Sequence, residues 1–319
     1  MFGVFENLPK YVKVVEVGPR DGLQNEEQLV AACDKIRLIE ALAQTGLKNI
    51  EITSFVSPKW IPQLADGLEV AQAIKLPPGV ATSALVPNLI GYEKANLAKL
   101  PAIAVFMSAT ESHSQKNINK SIASALSTLA EVIELAKKDN KTVRCYLSVV
   151  FECPYEGPVA VKQVAGLCEK LISFGVDEIA LSDTIGAATP KSVLNLINHL
   201  TEKINHHKLA LHFHDTRGTA LVNVLAGLEA GITTFDASIG GMGGCPYAPG
   251  AAGNLATEDL VYLLHSLGIA TGVDLEKLIT CGHLAQTILG KQLPGRYLRS
   301  VLAKTNEQPN NSANARLTA

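Results

Sequence analysis

Ala102-Ile103-Ala104-Val105-Phe106-Met107 is an unbroken apolar run bounded by Pro101 and Ser108. Such a run leaves no solvated face and is too short for a buried helix, so it reads as a parallel strand covered on both sides. The same design recurs along the chain: strand candidates lie at 12–17, 48–53, 80–86, 102–108, 142–150, 177–182, 209–214 and 233–239. Helical patterns separate them. Asp34 to Gln44 carries apolar residues at Ile36, Ile39, Leu42 and Ala43, with Gly46 placed to end the helix. Ser121 to Lys138 is rich in Ala and Leu and ends in lysines, which suit a helix C-terminus. Pro158 and Pro190 sit where helices are expected to start, because proline is tolerated in the first turn.

Eight such units over about 260 residues predict an α/β chain, a (β/α)8 TIM barrel, with an additional C-terminal helical segment from Asp274 to Leu289. A doubly wound open sheet is the rival. The closed barrel is preferred because chemically unusual residues follow strand after strand, at the rim where barrels carry their sites. Residues 1–304 read as a single domain. The segment 305–319 is polar, with Gln308-Pro309-Asn310-Asn311-Ser312, and is expected to be disordered.

The chain has 319 residues, 47% of them apolar, and a formal net charge of −2. A near-neutral chain has no electrostatic footprint for nucleic acid or an anionic membrane, and no run approaches the roughly 20 apolar residues that cross a bilayer. Met1 to Lys10 is short for a signal peptide, so a cytoplasmic protein, or a form already trimmed, is expected. Cys33, Cys145, Cys153, Cys168, Cys245 and Cys281 form no C-x-x-C pair, which favours reduced thiols over a disulfide framework.

Three stretches carry chemistry. Gly18-Pro19-Arg20-Asp21-Gly22-Leu23-Gln24-Asn25 follows the first strand. Gly, Pro and Asp alone would make a turn, but a turn needs no Arg beside Asp. His212-Phe213-His214-Asp215 ends the seventh strand. Residues two apart on a strand share a face, so His212 and His214 form an imidazole pair towards the barrel axis, while Asp215 points away and reads as structural. Gly240-Gly241-Met242-Gly243-Gly244-Cys245-Pro246-Tyr247 follows the eighth strand, with Asn254 beyond it. No phosphate-cradling glycine register is completed, so this reads as a lid carrying one reactive side chain, Cys245.

Closing the barrel makes strands 7, 8 and 1 neighbours. Asp21, His212, His214 and Asn254 then converge on one cation. Two imidazoles, a carboxylate and an amide oxygen suit Mg²⁺ or Mn²⁺, with Zn²⁺ left open. Glu51, at the end of strand 2, and Asp183, at the end of strand 6, face the same rim as acid–base groups or as supports of the ligands; a cap or a salt bridge would explain either as well.

At these residues the sequence resembles the hydroxymethylglutaryl-CoA lyase family. The resemblance rests on VVEVGPRDGLQN (14–25), EITSFVSPKW (51–60), CPYEG (153–157), SDTIG (182–186), HFHDT (212–216), SIGGMGGCPY (238–247) and NLATEDLVY (254–262). It implies metal ligation by Asp21, His212, His214 and Asn254, a substrate-binding and catalytic Arg20, a catalytic thiol at Cys245, and places for Glu51 and Asp183 around the site. It implies cleavage of 3-hydroxy-3-methylglutaryl-CoA to acetyl-CoA and acetoacetate, as in leucine degradation and ketone body formation, by a homodimer acting on an acyl-CoA. His212 or a carboxylate would take the hydroxyl proton, Arg20 would stabilise the thioester oxygen, and Cys245 would protonate the enolate carbon. A 3-hydroxy-3-isohexenylglutaryl-CoA lyase is the nearest alternative. A 2-oxo acid condensing synthase and a non-catalytic binding barrel stand further off, the first opposed by the Gly-Gly-Cys-Pro-Tyr loop and the second by the intact polar set.

Overall fold

The computed structural model describes residues 8–244 and 253–304. All eight expected strands form: β1 (Lys13–Glu16), β2 (Asn49–Ser54), β3 (Ala81–Leu85), β4 (Ala102–Ser108), β5 (Thr142–Ser148), β6 (Glu178–Asp183), β7 (Leu209–Phe213) and β8 (Thr234–Ala237). They close into one parallel barrel, β8 pairing with β1. The apolar run at 102–107 is well paired: β4 and β5 stay in register from Ala102↔Thr142 to Ser108↔Ser148.

Helices surround or follow the barrel, ten of them with both ends among the described residues. They are α1 (Ala32–Ala43), α2 (Gly67–Ala73), α3 (Leu89–Leu97), α4 (Glu111–Ile118), α5 (Ile122–Lys138), α6 (Val161–Ser173), α7 (Pro190–Thr201), α8 (Ala220–Glu229), α9 (Thr257–Ser266) and α10 (Leu275–Leu289). Their starts follow local chemistry. The Ser121 side chain accepts the Ser124 N–H at the head of α5, and Asp274 accepts two N–H groups at the head of α10. Pro190 begins α7 behind a Thr189–Ser192 capping box. Pro158 does not begin a helix. Gly157, at φ 74°, lets the chain turn back, so that Glu152–Cys153 pairs antiparallel with Gly157–Pro158 and α6 starts at Val161.

Alternation along the strands divides the interior in two. Val105, Val143, Leu147, Ile179, Leu181, Leu209, Leu211 and Phe213 face the helices in the large apolar layer. Inside the barrel lies a smaller cluster, Leu85, Ala104, Tyr146, Ala180 and Ala210. Small residues on successive strands there leave room for the longer polar side chains nearer the rim.

Candidate active site at the C-terminal rim

The turn after β1 is a single π-helical turn over Gly18–Gly22. The Val17 carbonyl accepts N–H bonds from Arg20 (3.1 Å), Asp21 (2.7 Å) and Gly22 (3.2 Å). Gly22 is required because a Cβ there would lie 2.7 Å from Ser238 Oγ and 2.9 Å from Met242 Cβ. This tight turn holds Arg20 and Asp21 over the barrel mouth. The Arg20 guanidinium donates to Glu51 through Nε and to Asp21 through Nη1, and lies 5.0 Å from the centre of the Tyr146 ring. Burial works against the Arg20 charge, but Asp21 and Glu51 hold it ionised.

His212 and His214 share a face of the β7 end, with ring centres 5.2 Å apart. Their Nε2 atoms lie 3.9 Å and 3.8 Å from Asp21 Oδ2. Burial alone would raise the Asp21 pKa, yet Arg20 and the two histidines bring it well below the usual carboxylate range. Asn254 reaches the same point because residues 253–255 add antiparallel to the end of β7: Asp215 N–H donates to Gly253 O and Leu255 N–H to Phe213 O, both at 3.0 Å. Asn254 Nδ2 donates to Asp21 Oδ2 (2.9 Å) and to Met242 O (3.1 Å).

The cluster fits a hard divalent cation. Donor atoms of Asp21, His212 and His214 all lie within 4.8 Å of one another. Asn254 Oδ1 is buried with no hydrogen-bond partner among the described residues, an acceptor that a cation would satisfy. The cluster forms part of the floor of a cleft of about 570 Å³, whose lining also includes Arg20, Phe106, His113, Tyr146 and Lys120.

Glu51 is inside β2 rather than at its end, and is fully engaged: Oε1 accepts from Arg20 and Oε2 from the Tyr146 hydroxyl at 3.1 Å. Asp183 is turned away from the cleft. Its two oxygens accept the N–H groups of Ala187 (2.8 Å) and Ala188 (3.0 Å), so it shapes the loop after β6, whereas its neighbours Ser182 and Thr184 line the cleft. Burial pushes its carboxyl above the usual range. Cys245 lies outside the described residues; Gly244 before it lines the cleft, and its carbonyl accepts from Asn25 Nδ2 at 3.1 Å.

Sequence reading passed over Asp236 and Arg144. Asp236 Oδ2 lies 3.1 Å from His212 Nδ1, and Asp236 Oδ1 accepts from Arg144 Nη2 at 2.6 Å. Burial opposes its charge, but Arg144 and His212 bring the Asp236 pKa below the usual value. The available signal was a charged residue at an inward position of an otherwise apolar strand. His113 was also passed over: it sits 2.7 Å from Ser108 Oγ, and burial lowers it to about 4.

Residues 11–285 match the HMGL-like family. The hydroxymethylglutaryl-CoA lyase YngG of Bacillus subtilis is 52% identical over 291 residues, 91% of this chain and 97% of the relative. A Pseudomonas aeruginosa enzyme named 3-hydroxy-3-isohexenylglutaryl-CoA/hydroxy-methylglutaryl-CoA lyase is 48% identical over 93% of this chain and 99% of its own. The structure of an HMG-CoA lyase from Acinetobacter baumannii, in complex with coenzyme A and 3-methylmalate, superposes with a TM-score of 0.87 at 37% identity, covering 94% of this chain and 96% of that one. A match over most of the chain, with a barrel of the same shape and the polar set at one rim, means that the chain belongs to the HMGL-like family, among its hydroxymethylglutaryl-CoA lyases.

Proposed function

We propose that this chain cleaves 3-hydroxy-3-methylglutaryl-CoA to acetyl-CoA and acetoacetate. The observation that carries the reading is the meeting of Arg20, Asp21, His212 and His214 at the floor of a cleft at the barrel's C-terminal rim. Asp21, His212, His214 and Asn254 would hold Mg²⁺ or Mn²⁺. When bound, the cation supplies Lewis acidity that lowers the pKa of the substrate's 3-hydroxyl and orients it.

The protein's own groups do the rest. The Asp21 carboxylate lines the cleft beside the two imidazoles and takes the hydroxyl proton as C3 becomes a ketone. The C2–C3 electron pair passes into the thioester, giving the enolate of acetyl-CoA and free acetoacetate. Arg20 is fixed by Glu51 and Asp21 before substrate arrives, so its positive charge meets the developing oxyanion without reorganising. Cys245 gives its thiol proton to C2. Lys116 and Lys120 line the cleft and offer cations to the anionic groups of coenzyme A.

A homodimer, cytoplasmic residence and a place in leucine degradation go with this reading and rest on the family likeness. Assaying the 3-methyl and 3-isohexenyl substrates side by side, with both products identified, tests the assignment. The 3-methyl compound should have the higher kcat/KM. Each methylene in a fitted apolar pocket changes discrimination by about 1–3 kcal/mol, so the several extra carbons of the isohexenyl chain should make the preference large, and a preference for the isohexenyl compound reverses the substrate assignment.

A further inference from the structure

A series of charges runs through the barrel beneath the site, from half-buried Lys13 to buried Arg144 and Asp236. Lys13 on β1 pairs with Glu178 on β6, and Glu178 Oε1 lies 2.8 Å from Arg144 Nε on β5. Arg144 donates to Asp236 on β8, and Asp236 meets His212 on β7. Arg144 is further fixed by donating to the Tyr146 hydroxyl at 3.1 Å, with its guanidinium 5.1 Å from that ring's centre. Asp236 and Arg144 are both buried, and neither is among the residues that line the cleft. They cannot touch substrate from there.

We propose that Asp236, locked by Arg144, is the positioning residue that sets the His212 tautomer, keeping the proton on Nδ1 so that Nε2 presents a lone pair beside Asp21. An ionised carboxylate only accepts hydrogen bonds, so a partner 3.1 Å from Asp236 Oδ2 must be an N–H. His212 Nδ1 is therefore the donor. Its Nε2, 3.9 Å from Asp21 Oδ2, is left as the ligating atom. Arg144 makes the arrangement one-way. It donates at 2.6 Å to Oδ1, so whatever stands at 236 must present an acceptor to it.

That constraint gives Asp236→Asn a specific consequence. The carboxamide oxygen must stay on the Arg144 side, because an NH₂ there would face a guanidinium donor. The NH₂ then points at His212 Nδ1, which has to become the acceptor. The imidazole proton moves to Nε2, where it faces Asp21 and blocks ligation. The shape of the site is kept and the ligand is lost.

The inference rests on reading His212 as a metal ligand, and two measurements separate its failure from failure of the lyase assignment. With ¹⁵N-histidine labelling, and the His212 resonances assigned by their loss in His212→Gln, wild-type protein at pH 8 should show a proton on His212 Nδ1. This needs neither substrate nor metal, so an inactive enzyme would leave it standing, and it remains decisive if Asp236→Asn does not fold. Mn²⁺ affinity of folded Asp236→Asn, measured by titration without substrate, should fall about 10- to 100-fold, with the Nδ1 proton gone. A bare Nδ1 in wild type, or Mn²⁺ affinity unchanged in the folded variant, overturns the proposal.

Discussion

Glu258 in the first turn of α9 should make the stability of this barrel fall as pH rises. The side chain is fully buried. Oε2 accepts the Gly240 N–H at 2.7 Å, at the start of the glycine-rich segment after β8, and Oε1 has no hydrogen-bond partner among the described residues. Burial, with Glu16 and Asp259 adding repulsion, pushes its carboxyl from 4.5 up to about 8. The folded chain thus holds this proton more tightly than the unfolded chain. The contribution is fully present below pH 4.5 and is lost as pH rises through about 8. At 1.36 kcal/mol per unit, ionisation costs about 2 kcal/mol at pH 6 and approaches about 5 kcal/mol at pH 9. Glu258→Gln is neutral at every pH and keeps an oxygen for Gly240. It should therefore gain on wild type by roughly 3 kcal/mol between pH 6 and pH 9. Urea unfolding of metal-free protein, followed by circular dichroism at the two pH values, measures this; chelation is needed because metal affinity is itself pH-dependent. Part of the slope should survive in the variant, because burial also pushes Glu16 up, to about 7. Losing the Glu258 charge should move that remaining step to lower pH. Parallel profiles for wild type and Glu258→Gln from pH 6 to pH 9 would mean that burial does not raise the Glu258 pKa.

Exhaustive chelation should abolish cleavage, with Mg²⁺ or Mn²⁺ restoring it; full activity in chelated enzyme removes the cation from the reaction. His214→Ala should weaken Mn²⁺ binding, since it takes away a donor 3.8 Å from Asp21, and unchanged affinity in a titration takes His214 off the ligand set. Cys245→Ser should keep metal affinity while kcat drops about 10²–10⁴-fold, because a serine hydroxyl is far too weak an acid to protonate the enolate carbon at neutral pH; near-full turnover would give that role to another group.

What the sequence makes legible here is whatever has a period or a fixed neighbour. The eight strands are legible because both faces are buried, so each appears as an apolar run whatever the topology around it, and each forms within two residues of its expected bounds at every end. Arg20, Asp21, His212 and His214 are legible because polar residues just beyond a barrel strand have nowhere to go but the rim. Asn254 follows from the same closure of strand 7 against strand 8. Pro158 misleads because proline's fixed φ serves a hairpin edge as well as a first helical turn, and only the positive φ of Gly157 distinguishes them.

The residues that escape notice are those whose meaning depends on which of the two strand faces is inside. Arg144 within TVRCYLS, Glu178 at the head of EIALSD, Asp236 within TFDA and Glu51 within NIEITS each interrupt an apolar strand. As isolated residues they look like surface charges. Registry shows otherwise: Arg144 pairs with Glu178 across β5 and β6, and Asp236 with His212 across β8 and β7, so the charges belong to one inward-facing layer. A charge in that layer has no water to retreat to, and is tolerated only with a partner of opposite sign. The partners are supplied in series from Lys13 to Asp236, and the series ends at His212, a histidine of the proposed metal site, rather than at another charged side chain. A chain of ion pairs meant only to hold a barrel together could close on itself anywhere. One that stops on His212 spends its last hydrogen bond on orienting an imidazole, and this is the physical reason to read the charges beneath the rim as part of the site above them.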